Sequence, residues 1–233
     1  MSENAKFPCH DENKTGIQPH IELRVVVFTL HEDQLQTLLC PSNPATFPGS
    51  LEFPGFPVLP GLALEQTAES CLKDLLDVPE LYLEQLFTYG GPQRHPTQSL
   101  ISVVYFALIS LDAHLIENQA GHYTWQSAEN PPTLAMDHAE ILTYALRRLR
   151  YKLEYTAVGF ELLPETFSLS ELQKTYEMIL GETLDKRNFR RRILQGGIIE
   201  ATEDYRSGEG RPARLYRYRP DAVAEVKTRR LFP

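Results

Sequence analysis

Ser168-Leu169-Ser170-Glu171-Leu172, then Gly181, then Asp185-Lys186-Arg187-Asn188-Phe189-Arg190-Arg191-Arg192-Ile193 is the stretch that decides the fold of the last third of this chain. Ser168 and Glu171 have the spacing at which a serine hydroxyl and a glutamate carboxylate satisfy each other's free backbone donors at a helix start. The helix so begun buries Leu172, Tyr176 and Ile179, and Gly181 supplies a stop because glycine turns left-handed freely. After a short turn, Thr183 is placed to cap a second helix from Leu184 to Gln195, closed by Gly196-Gly197. Ile198 to Thr202 and Ala213 to Tyr218 read as two strands around a loop holding Gly208, Gly210 and Pro212. Helix, short turn, helix and hairpin in this order predict a winged helix-turn-helix.

The second helix points to a partner. At about 100° per residue, Asp185, Phe189 and Ile193 cover one side, of which the apolar two face the core, while Lys186, Arg187, Arg190 and Arg191 fall roughly 100° to 240° around from Asp185. Four cations on one short face repel one another unless an anion meets them. A major groove admits such a helix, and its phosphates and guanine edges accept arginine forks. Asn188 lies among these residues, whereas Arg192 falls back toward the core and is expected to pair with a local carboxylate. Arg206, Arg211, Arg214, Arg217 and Arg219, with Tyr216 and Tyr218, suit a wing that touches the DNA backbone or minor groove. A solvated charged helix with an arginine-rich tail is the blander alternative, and the position on the second helix of this fold speaks against it.

Charge is divided accordingly. The chain has 233 residues and a net charge of −8. Residues 1–149 hold 7 Lys and Arg against 18 Asp and Glu, while the segment from Lys186 onward holds 13 against 6. An acidic body thus carries a basic contact surface. The 3 cysteines, Cys9, Cys40 and Cys71, have no metal-ligand spacing and suggest a reducing compartment without a disulfide framework. No apolar run reaches the roughly 18 residues of a membrane span, and the polar stretch before Gln18 is no signal peptide. Residues 1–18 are therefore expected to form a disordered tail, and a bacterial cytoplasmic location fits.

Working back toward the N-terminus, Leu23 to Leu30 reads as a buried central strand and Leu35 to Cys40 as a returning one. Pro41 to Gly61, with six prolines, predicts a long stiff loop. Ala63 to Leu76 is helical in pattern, Leu83 to Tyr89 and Ser99 to Leu111 are strand-like, and Asp137 is placed to cap a helix that ends near Tyr155. The mixture predicts an α/β (α+β) domain over residues 19–156, including a linker helix, ahead of the winged helix at 157–233.

Leu162-Leu163-Pro164, Phe167 to Gln173, Tyr176-Glu177, Asp185 to Arg191 and Arg211-Pro212-Ala213-Arg214-Leu215-Tyr216 together resemble the signature of the Nudix-related transcriptional regulators. Upstream, Leu64-Glu65-Gln66-Thr67 and Leu83-Glu84-Gln85-Leu86 are similar to the Nudix helix and the strand entry after it. The resemblance implies a Nudix-like α/β/α sandwich joined to a winged helix-turn-helix, acting as a homodimer on a palindromic double-stranded operator. It further implies repression of NAD-biosynthesis genes and release by ADP-ribose, or, in other branches, response to sugars and control of carbohydrate genes. On this basis Lys186, Arg187, Asn188, Arg190, Arg191, Arg211, Arg214 and Tyr216 are the expected DNA contacts.

Two departures from the family pattern bear on chemistry. A Nudix box clusters carboxylates on its helix to hold Mg²⁺. Registered on Leu64 to Val78, its Arg-Glu pair becomes Ser70-Cys71, its Glu-Glu pair Asp74-Leu75, and its final glycine Asp77. Asp74 alone keeps a carboxylate, so neither metal nor hydrolase activity is expected, and no cofactor. The Arg-Asp-Pro-Arg stretch of members that sense ADP-ribose reads Arg94-His95-Pro96-Thr97 here, keeping one arginine. Arg94 could hold a phosphate; Arg24, Gln85 and Tyr105 are effector-pocket candidates by position, and Trp125 could stack on a ligand or serve the core. An active hydrolase with a nucleic-acid arm and a ligand-independent DNA-binding dimer remain as rival readings.

Overall fold

The structure is a computed structural model and describes residues 18–110, 122–207 and 212–219. The expected N-terminal tail, up to residue 17, and the candidate Arg211 lie outside the described residues.

The long apolar run forms strand β1 (His20–His31), fully buried from Val25 to Phe28. It turns through Glu32 and Asp33, both left-handed, into β2 (Gln34–Pro41), the two-residue hairpin geometry that matches strand twist. β1 also runs parallel to β6 (Leu100–Leu108), and β5 (Tyr82–Gly90) lies antiparallel on the outer side of β6. The proline-rich stretch is not all loop. It contributes β3 (Leu51–Glu52) against β2 and β4 (Gly55–Pro57) against Glu22 to Arg24 of β1. Strand β7 (Thr124–Ser127), carrying Trp125, adds to the far side of β2; at 4 residues it is too short to show a sequence pattern. Since β2 pairs β1 only from Phe28 onward while β4 takes the earlier half, the sheet splits, and a cleft opens at the split.

Alternation along the strands sends side chains to two faces. Leu23, Val25, Val27, Val103, Tyr105 and Ala107 pack beneath helix α1 (Leu64–Leu76), which contributes Ala68, Leu72 and Leu76. Val26, Phe28, Val104, Phe106 and Leu108 pack beneath α2 (His138–Tyr155) with Ile141, Leu142, Ala145 and Leu149. The result is an α/β/α sandwich, as expected. One detail differs: Asp137 precedes α2 but its carboxylate does not cap it, being held instead by Arg94.

A 3₁₀ turn (Val158–Leu162) leads to the second unit: β8 (Thr166–Ser168), α3 (Leu169–Leu180), α4 (Lys186–Gln195), β9 (Ile199–Arg206) and β10 (Ala213–Tyr218), with the strands ordered β8-β10-β9. Both capping-box bonds at Ser168 and Glu171 form, at 2.7 and 3.2 Å, and Gly181 is left-handed at φ 73°. Helix α4 begins later than the sequence suggested, and its cap is Asp185 rather than Thr183. The Asp185 carboxylate accepts from Asn188 N at 2.8 Å. Side chains of α3 hold Leu184 outside the helix, Glu177 accepting its N–H and Gln173 donating to its carbonyl.

The two units share one core, in which Leu149 and Leu153 of α2 join Val158, Phe160 and Tyr176. Gly159 makes this joint possible: a Cβ there would lie 2.9 Å from a Leu153 methyl and 3.0 Å from the Tyr176 ring. Arg150 adds a polar tie, donating to the Ile179 carbonyl at 2.8 Å while pairing with Glu129. Lys174 of α3 pairs with Asp33 at the β1–β2 turn.

Candidate functional site

Helix α4 is anchored by Phe189 and Ile193, both buried, with the Phe189 ring edge-on to Tyr176 at 5.5 Å. That anchorage turns Lys186, Arg187, Asn188 and Arg191 outward, all exposed. Lys186 to Gln195 contains no acidic residue, and among the described residues no carboxylate pairs with Lys186, Arg187, Arg190 or Arg191. Arg191 donates to Asn188 Oδ1 at 3.1 Å, which makes one unit of those two side chains. Arg190 is half-buried, donating to Ser170 Oγ of the first turn of α3 at 3.0 Å. Its Nε is buried without a hydrogen-bond partner. Arg192 is also half-buried, but the local carboxylate expected for it is not present among the described residues.

The wing sorts its arginines. Arg206 pairs with Glu171 and Arg217 with Glu200, whereas exposed Arg214 donates to the Thr202 carbonyl at 3.3 Å and pairs with no carboxylate among the described residues. Tyr216, half-buried, pairs with Ala201 across β9 and β10.

The second candidate site is the cleft at the split of the sheet, about 380 Å³, lined by Glu22, Arg24, Cys40, Glu52, Gly55 and Tyr123 among others. Arg24 is its centre. Nε and a terminal nitrogen donate to the Glu22 carboxylate at 2.7 and 2.9 Å, the other terminal nitrogen donates to the Phe53 carbonyl at 2.8 Å, and Glu52 lies 3.1 Å away. Burial works against the Arg24 charge, but Glu22 and Glu52 outweigh it and raise the pKa. Gly55 permits the arrangement, since a Cβ there would lie 2.8 Å from the guanidinium carbon. Burial, with Glu52 nearby, pushes the Cys40 thiol up to about 11, so it stays protonated and unreactive.

A buried polar chain supports the cleft from behind. Ser102 donates to Glu22 at 2.7 Å and accepts from Arg94, which also grips Asp137 with two bonds of 2.6 and 2.9 Å and donates to the Tyr89 carbonyl. His138 stacks on Phe53 and accepts from its N–H at 3.2 Å, while its Nε2 is buried without a hydrogen-bond partner. Burial, with Arg24 nearby, pushes His138 down to about 3.

Of the four effector candidates, Arg24 alone lines the cleft. Arg94 stands behind it with all three guanidinium nitrogens engaged within the protein. Its main partner, Asp137, lies 43 residues away, a pairing that sequence spacing does not reveal. Gln85 and Tyr105 oppose each other on β5 and β6; Gln85 is exposed, and Tyr105 is buried under α1, where burial and Glu65 raise its pKa. Trp125 is half-buried against the core beneath α1. The structure adds Glu22, Glu52, Ser102, Asp137 and His138, which sequence reasoning missed. Glu22 and Arg24, two charges on one face of an otherwise apolar strand, were the signal available.

On α1, Ser70 and Asp74 are exposed, Cys71 is half-buried, and Leu75 packs on the core. Asp77 ends the helix left-handed at φ 53°. Among the described residues no group of three or more His, Cys, Asp or Glu side chains is arranged to hold a metal, and no helix is long and apolar enough to cross a membrane.

The family model described as the NrtR DNA-binding winged helix domain matches residues 159–218. The ADPR responsive transcriptional repressor NtrR of Acinetobacter baylyi is 34% identical over 229 residues, covering 94% of this chain and 89% of that protein. The crystal structure of Shewanella oneidensis NrtR complexed with a 27mer DNA superposes with a TM-score of 0.77 at 32% identity, over 90% of this chain and 96% of that one. A MutT/nudix family protein of Enterococcus faecalis, 22% identical, has the same fold with a TM-score of 0.72 over 87% of this chain and 88% of its own.

Proposed function

The chain belongs to the NrtR family of Nudix-related transcriptional regulators, and we propose that it is a repressor that grips double-stranded DNA with helix α4 and the β9–β10 wing. The observation that carries this reading is the set of cations on α4 that no carboxylate neutralises among the described residues. Lys186, Arg187, Asn188 and Arg191 enter the major groove, and Arg190 joins them from its seat on Ser170. Arg211, Arg214 and Tyr216 meet the backbone or minor groove. Residues 157–233 form the DNA-binding unit and 19–156 the effector unit, and two copies sit on a palindromic operator in the bacterial cytoplasm. A gel shift against the protein's own upstream region tests this. Binding should weaken steeply with salt, because each phosphate contact releases a counterion, and salt-insensitive binding would overturn the reading.

The effector is ADP-ribose, in line with the name of the Acinetobacter relative. Arg24 lines the site, and Arg94 positions it through Ser102 and Glu22. Glu22 and Glu52 offer acceptors suited to ribose hydroxyls, whereas the diphosphate needs donors beyond this carboxylate-rich cleft; Gln85 and Tyr105 flank the α1 face. A hundredfold excess of ADP-ribose over Kd should stabilise the fold by about 2.7 kcal/mol. No thermal shift would favour a ligand-independent repressor.

The effector unit is not a hydrolase. Asp74 is a lone carboxylate where Mg²⁺ chemistry calls for several oxygen ligands. Metal-dependent turnover of ADP-ribose that disappears in Asp74→Ala would refute this.

A further inference from the structure

We propose that Ser170 is a positioning residue for operator discrimination: its hydroxyl aims Arg190 at a base edge, while Lys186 and Arg187 supply attraction to any duplex. The inference rests on the reading of α4 as the DNA-binding helix and deepens it. The cations of α4 are not equivalent. At about 100° per residue, Arg190 stands one step round from buried Phe189, at the border between the core face and the exposed one. Its side chain is half-buried, its Nε is buried without a hydrogen-bond partner, and Nη2 donates to Ser170 Oγ at 3.0 Å. Lys186 and Arg187 are exposed, and neither pairs with a carboxylate among the described residues. The bond from Arg191 to Asn188 stays within α4. That of Arg190 crosses to α3, so two elements fix its direction.

A hydroxyl, not a carboxylate, holds Arg190. A carboxylate would neutralise the guanidinium, whereas a hydroxyl orients it and leaves its charge intact. Glu171, the next residue along, is already committed, accepting from Ser168 N–H at 2.7 Å and pairing with Arg206. The capping bonds of α3 run between Ser168 and Glu171, so exposed Ser170 is not needed for the helix start. With Nε buried and one hydrogen of Nη2 on Ser170, Nη1 and the second hydrogen of Nη2 remain for outside acceptors. Two such terminal nitrogens match the O6 and N7 acceptors of guanine. A side chain so held has little freedom left to lose on binding, and a forked base contact depends on direction more than a phosphate contact does. Flexible Lys186 and Arg187 suit the phosphates.

Affinities of the full chain for two duplexes of equal length test this, one carrying the protein's own upstream region and one with that sequence scrambled. Ser170→Ala should lower the ratio of the two affinities about threefold or more, the size of one lost hydrogen bond. Binding to the scrambled duplex and its salt dependence should not change. Ser170→Thr, which keeps the hydroxyl, should hold the ratio near that of the wild type. Arg190→Ala should lower it about five- to a hundredfold, and Ser170→Ala should add nothing in that background. Lys186→Ala should instead weaken both duplexes alike and reduce the salt slope by about one. Equal weakening of both duplexes by Ser170→Ala would make Ser170 a phosphate contact and overturn the proposal. So would an unchanged ratio, a wild type that binds both duplexes equally, or an additive loss in the double variant. A wild type that binds neither duplex would count against the DNA reading itself, and the proposal would fall with it.

Discussion

In the sandwich, Arg24 and Arg94 each bring every guanidinium nitrogen to a protein acceptor, whereas on α4 Lys186, Arg187 and Arg191 meet no carboxylate among the described residues. The same contrast holds for the acids. Glu22, Glu84 and Asp137 in the body are each paired with a cation, and α4 has none to offer. Pairing in the body serves structure. Lys152, Tyr82 and Arg148 together hold the Glu84 carboxyl below its usual range against the opposing effect of burial. Leaving α4 unpaired makes its charge available to an outside anion. Residue type is therefore a poor guide to role, and the ratio of cations to acids within reach is a better one.

The sharpest way to break this contrast is to remove a body arginine. Arg24→Ala leaves Glu22 and Glu52 facing each other in a cleft where the guanidinium side chain was only 10% exposed. Breaking a buried pair in this way costs about 3–5 kcal/mol, and urea unfolding should report it as a lower midpoint. A loss under about 1 kcal/mol would mean that the cleft admits water freely and that the body's arginines are no more committed than those of α4.

The complementary test removes an arginine from α4. Arg191→Ala should weaken operator binding by about 1–3 kcal/mol if the side chain reads a base, with unfolding midpoints unchanged, because the side chain is exposed and its hydrogen bond among the described residues is to Asn188 of the same helix. Arg190→Ala should differ in kind, weakening binding and also loosening the joint with α3 at Ser170. If Arg191→Ala alters folding and leaves binding intact, the two regions do not divide their charge as described.

The two regions also differ in how much of them is legible in the sequence. The winged helix is legible almost to the residue, because its signals are local: the Ser168 and Glu171 cap, Gly181, and the alternation of Phe189 and Ile193 with cations. The start of α4 is misplaced by sequence alone because the groups that hold Leu184 come from Gln173 and Glu177, a helix away. The cleft is hardly legible. Arg94 and Asp137 are separated by 43 residues, Glu22 and Ser102 by 80, and no local period connects them. The proline-rich stretch conceals β3 and β4 for a related reason: each is too short to show alternation and exists only because a neighbouring strand offers hydrogen bonds.

A pH titration sharpens the comparison from the side of the body. His138 is buried as the neutral imidazole, with Nδ1 accepting from Phe53, and it titrates at about 3 rather than the usual 6.5. Above pH 6.5 the folded and unfolded chains are both neutral at this site. Below it only the unfolded chain gains the proton, so stability is complete above 6.5 and is lost as pH falls toward 3. The slope approaches about 1.4 kcal/mol per pH unit. Between about pH 7 and 5.5, His138→Gln should flatten the dependence of the unfolding midpoint on pH, whatever its effect on the midpoint itself. An unchanged slope would mean that the imidazole already reaches solvent or a proton acceptor when folded.

The smallest effect is expected at Asp77, where the sequence departs from the Nudix-box pattern. The position ends α1 with φ 53°, a conformation costly for most side chains and free for glycine, and glycine is what a Nudix box has there. Asp77 N–H still donates to the Lys73 carbonyl, so the backbone keeps the stop even though the residue does not favour it. Asp77→Gly should therefore stabilise the chain by about 0.5–1 kcal/mol, visible as a slightly higher unfolding midpoint with operator binding unaltered. The carboxylate is exposed and pairs with no cation among the described residues, so its removal forfeits no ion pair. A destabilised Asp77→Gly variant would show that this carboxylate is committed like the others in the body, and the contrast between the two regions would then extend even to the surface of α1.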